Sequence, residues 1–190
     1  IPPSIIESAA KQLGFPLGPI QLVDETSIEL GAKIARATRA AMGKSYPNDQ
    51  IDEILFWMED KGRLGRKANA GLFNYNENGK REGFWTGLQE KYPLSKTTPN
   101  LTEVQHRLMF IQALEAVRAL EEGVLMDIRE GDVGAVLGWG FAPWSGGPLS
   151  WLDILGTPYA AERSQELCKT YGPRFDCPPL LADMGKNNEA

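Results

Sequence analysis

The sequence predicts an all-α protein made of two related helical units, and three observations carry that prediction. The first is an internal repeat. Gly14-Phe15-Pro16-Leu17-Gly18-Pro19-Ile20-Gln21-Leu22-Val23-Asp24 returns as Gly140-Phe141-Ala142-Pro143-Trp144-Ser145-Gly146-Gly147-Pro148-Leu149-Ser150-Trp151-Leu152-Asp153. The Gly-Phe pairs lie 126 residues apart, whereas Gly18-Pro19 and Asp24 recur at an offset of 129, so the second copy carries three extra residues. The register holds on to Gly43 and Gly172. A repeat of this kind means one supersecondary unit used twice. The second observation is helical spacing of apolar residues between polar caps and glycine stops. The third is that extended character is confined to a short segment near 71–75.

Each element follows from local chemistry. Ser4-Ile5-Ile6-Glu7 reads as a capping box; it opens a helix with Ile5, Ile6, Ala9, Ala10 and Leu13 available for burial, and Gly14 stops it. Pro19 suits a first helical turn, where its missing N–H costs nothing. Thr26-Ser27-Ile28-Glu29 is a second capping box. It predicts a helix to Met42 with Ile28, Ala32, Ala35, Thr38 and Met42 on its apolar face, ended by Gly43. Ser45–Asn48 reads as a turn. Residues 51–60 are amphipathic through Ile51, Ile54, Leu55 and Met58, and 62–67 break them. Gly71–Tyr75 is the extended segment, and 84–92 holds one or two helical turns. The Pro- and Thr-rich stretch 94–100 is a linker, dividing a first domain, 1–93, from a second, 101–190.

In the second domain Thr102 is the expected cap of a helix over 103–122. Its two apolar stripes, Val104-Leu108-Ile111-Leu114 and Phe110-Ala113-Val117-Leu120, make it central to its unit. Gly123 ends it. A helical stretch follows over 132–137, then the second motif, then a helix from Pro158 to Tyr171. Phe175 and Pro178–Leu181 read as a packed tail, and Lys186–Ala190 as a frayed end. The first unit lacks a counterpart of the long helix. The chain opens at Ile1, not Met, and Pro2-Pro3 leads straight into a helix. It therefore reads as a piece of a longer chain, with a processed N-terminus as the alternative, and the missing helix is expected upstream. Swapping, oligomerisation or a partly exposed face then follows for the first unit.

Composition excludes several classes. A net charge of −5 argues against a nucleic-acid or anionic-membrane surface. Two cysteines fit a reducing compartment better than a disulfide scaffold. With a single histidine they make a metal site improbable. No apolar run reaches the roughly 18 residues of a membrane span, and no leader peptide is visible.

The glycines, the repeat and the tail together resemble the C-terminal region of 3-hydroxyacyl-CoA dehydrogenases, most closely the multifunctional fatty-acid β-oxidation type. The residues that carry this are the first motif with Asp24, then Gly65-Arg66-Lys67 with Gly71, Phe73 and Tyr75. The second unit adds Glu115-Ala116, Leu120–Gly123, Asp132, the second motif, Tyr171–Phe175 and Pro178–Leu181. The resemblance covers nearly the whole chain. It implies two helical units of the 6-phosphogluconate-dehydrogenase-C-terminal-like type, the first truncated at its N-terminus. Asn69 and Leu72-Phe73 depart from the family, which has Gly and Phe-Tyr there; Asn tolerates a left-handed backbone.

The resemblance also implies an NAD-dependent 3-hydroxyacyl-CoA dehydrogenase as the parent enzyme, fused to an enoyl-CoA hydratase. In that family a His general base and its Glu partner lie in a Rossmann domain, and a substrate-placing Asn lies on a helix that would precede Ile1. None maps onto this chain, and no Gly-x-Gly-x-x-Gly is present. No catalytic, cofactor-binding or metal-binding residue is therefore expected here, and the piece alone is expected to be inactive. Gly18, Pro19, Arg66 and Lys67 are the candidate substrate contacts, the last two through a CoA phosphate. His106 reads as a helix-borne His rather than a base. Glu115 reads as a buried carboxylate accepting loop amides. Asp24 and Asp153 read as paired structural positions, and Trp139, Trp144 and Trp151 as interhelical packing or an acyl-chain surface. Expected partners are an acyl-CoA, the parent's own Rossmann domain, and a thiolase subunit or a second copy. The ending, which is no Ser-Lys-Leu signal, favours a bacterial cytoplasm. The rival readings are a stand-alone helical interaction module and the helical part of a short-chain 3-hydroxybutyryl-CoA dehydrogenase.

Overall fold

The computed structural model describes residues 1–46 and 50–187, with the side chains of 50 and 51 left aside. The expected turn at Ser45–Asn48, the inward face of Ile51 and the frayed end at Lys186–Ala190 lie partly or wholly outside this range. Ten α-helices and one two-stranded hairpin are present among the described residues. The protein is all-α in class, as the periodicity predicts. Contacts divide it into two units, Ile1–Ser8 with Leu17–Thr98, and Ala9–Pro16 with Pro99–Ala190. Residues 9–16 thus group with the second unit, where the linker-based division keeps 1–93 together.

The first unit holds most of α1 (Pro3–Gln12), then α2 (Pro19–Thr26), α3 (Ile28–Met42) and α4 (Gln50–Asp60). The hairpin β1 (Phe73–Tyr75) and β2 (Arg81–Phe84) and the short α5 (Gly87–Lys91) complete it. Its core is Ile28, Met58, Leu72 and Leu88, backed by Ile20, Val23, Ile54, Leu55, Trp57 and Trp85. α3 can lie close on α4 because Gly31 faces Leu55, whose side chain would stand 3.2 Å from a Cβ there. The strands pair antiparallel, Phe73 opposite Phe84, with a bulge between Asn74 and Tyr75. Asn69, at φ 53°, occupies the left-handed region its side chain tolerates.

In the second unit α6 (Leu101–Glu121) buries Val104, Phe110, Ala113, Leu114 and Val117 of its two expected stripes; Leu108, Ile111 and Leu120 are half-buried, and Met109, in neither stripe, is buried too. Around it stand α7 (Ile128–Trp139), α8 (Pro148–Leu155), α9 (Thr157–Tyr171) and α10 (Pro179–Asn187). The tail is itself a helix, packed on α9 where Gly185 leaves room for the Thr157 carbonyl. Phe15 meets Phe141 edge-on with ring centroids 5.5 Å apart. The Gly-Phe turns also interlock reciprocally. A Cβ on Gly14 would touch Pro143 and Trp144, and one on Gly140 would strike Pro16.

Several caps differ from the expected ones. Glu7 does not close a box with Ser4, because its carboxylate serves α2 instead (below). α3 is capped by Ser27, which accepts from the Leu30 amide, while the Thr26 hydroxyl donates back to Leu22 and Val23. α6 is capped by Asn100 rather than Thr102, through the Glu103 amide. α7 starts at Ile128 under an Asp127 cap, four residues before the expected start. Met42, expected inside, is exposed at the end of α3.

The repeat is exact in element length. α2 and α8 have 8 residues each, and α3 and α9 have 15 each. The residue joining each pair adopts one unusual conformation, φ 85° ψ 122° at Ser27 and φ 85° ψ 127° at Gly156.

Candidate functional site

The first motif is built around Glu7. Its Oε1 accepts from the Ile20 and Gln21 amides at 2.7 and 3.1 Å, two of the N–H groups that open α2. Such groups have no partner inside the helix, and the helix dipole favours a carboxylate there. Pro19, at the first position, has no N–H to satisfy. A Cβ on Gly18 would fall 2.1 Å from Glu7 Oε2, so a side chain there would have to displace the carboxylate.

The second copy repeats the arrangement. Asp132 on α7 accepts from the Leu149 amide at 2.8 Å, and from the Ser150 amide and hydroxyl at 3.0 and 2.6 Å. A Cβ on Gly147 would stand 2.4 Å from Asp132. The Gly-Pro pair is thus a seat for a carboxylate from the preceding helix. The copies differ in one respect. Both Asp132 oxygens are engaged, whereas Glu7 Oε2 is buried without a hydrogen-bond partner among the described residues.

Asp24 has a separate task. Fully buried, it accepts from the Leu72 and Phe73 amides at 2.7 and 2.9 Å and from the Tyr75 hydroxyl at 2.8 Å. Gly71 is needed because a Cβ would meet that carboxylate at 2.3 Å, and Gly65 because a Cβ would meet the Asp24 carbonyl at 2.7 Å. The run Gly65, Gly71, Tyr75 is therefore the imprint of one aspartate. Burial and this carboxylate push the Tyr75 phenol well above its usual range. Asp153 is no counterpart: it is exposed, and what burial it has, with Asp132 nearby, raises its carboxyl.

Arg63 staples the hairpin. Its Nε donates to the Gly71 carbonyl, its Nη2 to the Phe73 carbonyl and Asn74 Oδ1, and its guanidinium lies 4.4 Å above the Trp85 ring. Arg66 donates to both oxygens of Glu25, at 2.8 and 3.0 Å. It lines a pocket of about 330 Å³ with Gln21, Glu25, Tyr75, Lys80 and Arg81. Lys67 is exposed and is not among the residues lining it. Of the four expected contacts, Gly18 and Pro19 form the carboxylate seat and Arg66 reaches a pocket. Lys80 and Arg81 were missed because nothing in their spacing marks them; they belong to the pocket only once β2 pairs with β1.

In the second unit His106 sits against the Phe110 and Trp151 rings and accepts from Arg163 Nε at 3.4 Å. Burial first, then the Arg163 charge, holds its pKa below the ordinary value. Glu115 corrects its expected role. It is exposed and pairs with Arg118, one turn along α6, because its side chain leaves the helix away from the core. Glu121 instead accepts from the Leu180 amide in the first turn of α10. Trp151 is buried, while Trp139 and Trp144 are exposed. Trp139 borders an apolar groove of about 660 Å³ between α6 and α7, with Ile111, Ala116, Val124, Leu125 and Gly134.

Among the described residues the only sheet is an antiparallel hairpin, with no parallel strand turning through glycines into a helix. No cluster able to hold a metal occurs among them, and no described helix is long and apolar enough to cross a membrane.

The helical pattern and the motif-bound turns resemble those of a known family. Residues 1–75 match the family model described as 3-hydroxyacyl-CoA dehydrogenase, C-terminal domain. The chain thus resembles the C-terminal helical region of these dehydrogenases, as its motifs imply. Two solved structures share the fold. One is 3-hydroxybutyryl-CoA dehydrogenase from Escherichia coli K12, with a TM-score of 0.70 and 17% identity over 99% of this chain and 55% of that one. The other is the dehydrogenase part of multifunctional enzyme 1 from C. elegans, with a TM-score of 0.66 and 21% identity over 97% of this chain and 41% of that one. The chain therefore spans about half the length of the first and two-fifths of the second.

Proposed function

We propose that this chain is the C-terminal helical part of an NAD-dependent L-3-hydroxyacyl-CoA dehydrogenase of fatty-acid β-oxidation, in a multifunctional protein that also carries an enoyl-CoA hydratase. The observation that carries the reading is the family match over residues 1–75, continued by a second copy of the same motif and helices. In this reading the NAD site and the catalytic His and Glu belong to a separate Rossmann domain. This chain supplies a wall of the substrate cleft and an interdomain or subunit surface, and binds no NAD itself. Gly18 and Pro19 keep α2 against that wall, and Arg66 and Lys67 stand towards the CoA end of the substrate. A thiolase subunit or a second copy is a further partner, and the compartment is a bacterial cytoplasm.

Two measurements test this. The coding sequence upstream of Ile1 should encode a Rossmann fingerprint; a start codon there in its place would leave the interaction-module reading standing. Calorimetry of this chain with NAD should show no tight binding, and micromolar affinity would overturn the division of labour. A second reading, a short-chain 3-hydroxybutyryl-CoA enzyme, draws on the likeness to the E. coli structure. Rates of the parent protein on acyl chains of four to sixteen carbons separate the two.

A further inference from the structure

Arg81 enters β2 with its guanidinium 4.6 Å above the Phe73 ring, and its Nη1 is buried without a hydrogen-bond acceptor among the described residues. A buried charged donor without an acceptor is costly, and folds satisfy such groups with a partner, water or an ion. Arg81 lines the pocket on α2 and the hairpin, together with Lys80, Arg66, Glu25, Gln21 and Tyr75. Both oxygens of Glu25 are engaged by Arg66 Nη1, so that pair is neutral. Asp24, behind Tyr75, is closed off by two amides and the phenol. Lys80 and Arg81 are left as an excess of positive charge, in a chain whose net charge is −5.

We propose that this pocket binds the phosphoryl group of a phosphate ester, with Arg81 and Lys80 as its principal donors and Arg66 at the rim. A guanidinium suits phosphate oxygens because its planar N–H fork matches their geometry and the bonds are charge-assisted. At about 330 Å³ the pocket reaches the lower end of small-molecule sites, roughly 300–1,000 Å³. That favours an ester over the bare ion. The inference rests on the reading above in one respect, since Arg66 is shared with the contacts proposed to face the CoA end of the substrate; the NAD calorimetry tests that reading alone, so the two fail separately.

The test is a ¹H–¹⁵N correlation titration of the full chain with adenosine 3′,5′-bisphosphate and, separately, inorganic phosphate. Ionic strength is held constant with chloride. Saturable shifts are expected at Gly79, Lys80 and Arg81 and at the Arg81 Nε–H, tighter for the ester. Arg81→Met keeps the stem over Phe73 and removes the fork; it should weaken binding about tenfold, with Arg81→Lys between the two. Arg129→Met, which removes an exposed cation of α7, should change nothing. Equal response to inorganic phosphate would assign the pocket to the phosphoryl group alone and still support it. Shifts that follow chloride, or that survive Arg81→Met, overturn it. Should Arg81→Met lose its dispersed spectrum, Lys80→Met and Arg81→Lys carry the same comparison.

Discussion

Ser27 holds a backbone that an L-residue rarely adopts, φ 85° ψ 122°, where the other copy has Gly156. Such strain costs about 1–3 kcal/mol, while exchanging a Ser cap for Gly loses only about a few tenths. Ser27→Gly should therefore raise stability in urea by about 1 kcal/mol; a loss would mean that its hydroxyl, bonded to the Leu30 amide, outweighs the strain. Gly156→Ala, where a Cβ meets nothing within 4 Å, should lose about 1–3 kcal/mol from backbone strain alone. His106 predicts a pH dependence. Its folded pKa lies below its ordinary value, so below about pH 6.5 the unfolded chain takes up protons that the native one resists. Stability should fall as pH drops from 7 towards the folded pKa. His106→Gln should flatten this part of the urea-midpoint profile, and an unchanged slope would place its cause elsewhere.

At the scale of elements, the carboxylate seats make a coupled test. Gly18→Ala should be disruptive because its Cβ collides with Glu7, and Glu7→Ala because two α2 amides lose their acceptor. In the double variant the collision is gone, so the costs should fall short of additive by about 1–3 kcal/mol. Strict additivity in a double-mutant cycle would refute the seat. Most of the helices and the repeat were legible in the sequence, because apolar spacing, glycine stops and an offset are local or countable. The sequence did not show which carboxylate served which helix. Glu7 and Asp132 lie at offset 125, outside the register of the motif, and the matched pair Asp24 and Asp153 does unlike work. Ser4-Ile5-Ile6-Glu7 looked like a capping box because its letters fit; the competing partner, the start of α2, becomes visible only once the chain turns at Gly14. Arg81 escaped notice for the same reason, since its neighbours come from 60 residues of intervening chain brought together by a hairpin and a helix.

At the scale of the whole chain, two cores of different composition should report separately. The first carries the stacked pair Trp57 and Trp85, with centroids 5.1 Å apart, and the second carries Trp151 against Phe110. Asp132→Ala removes three hydrogen bonds in the second core. It should move the unfolding followed through Trp151 to lower urea by an amount worth roughly 3 kcal/mol, and move the Trp57–Trp85 exciton signal in circular dichroism less. Equal movement of both signals would mean one cooperative block. The matched lengths of α2 with α8 and α3 with α9 have a practical consequence. Comparing homologues normally mixes the effect of a residue with differences in salt, temperature and preparation. Here Ser27 and Gly156, or Glu7 and Asp132, are two answers to one structural question dissolved in the same tube, so each copy serves as the calibration standard for the other.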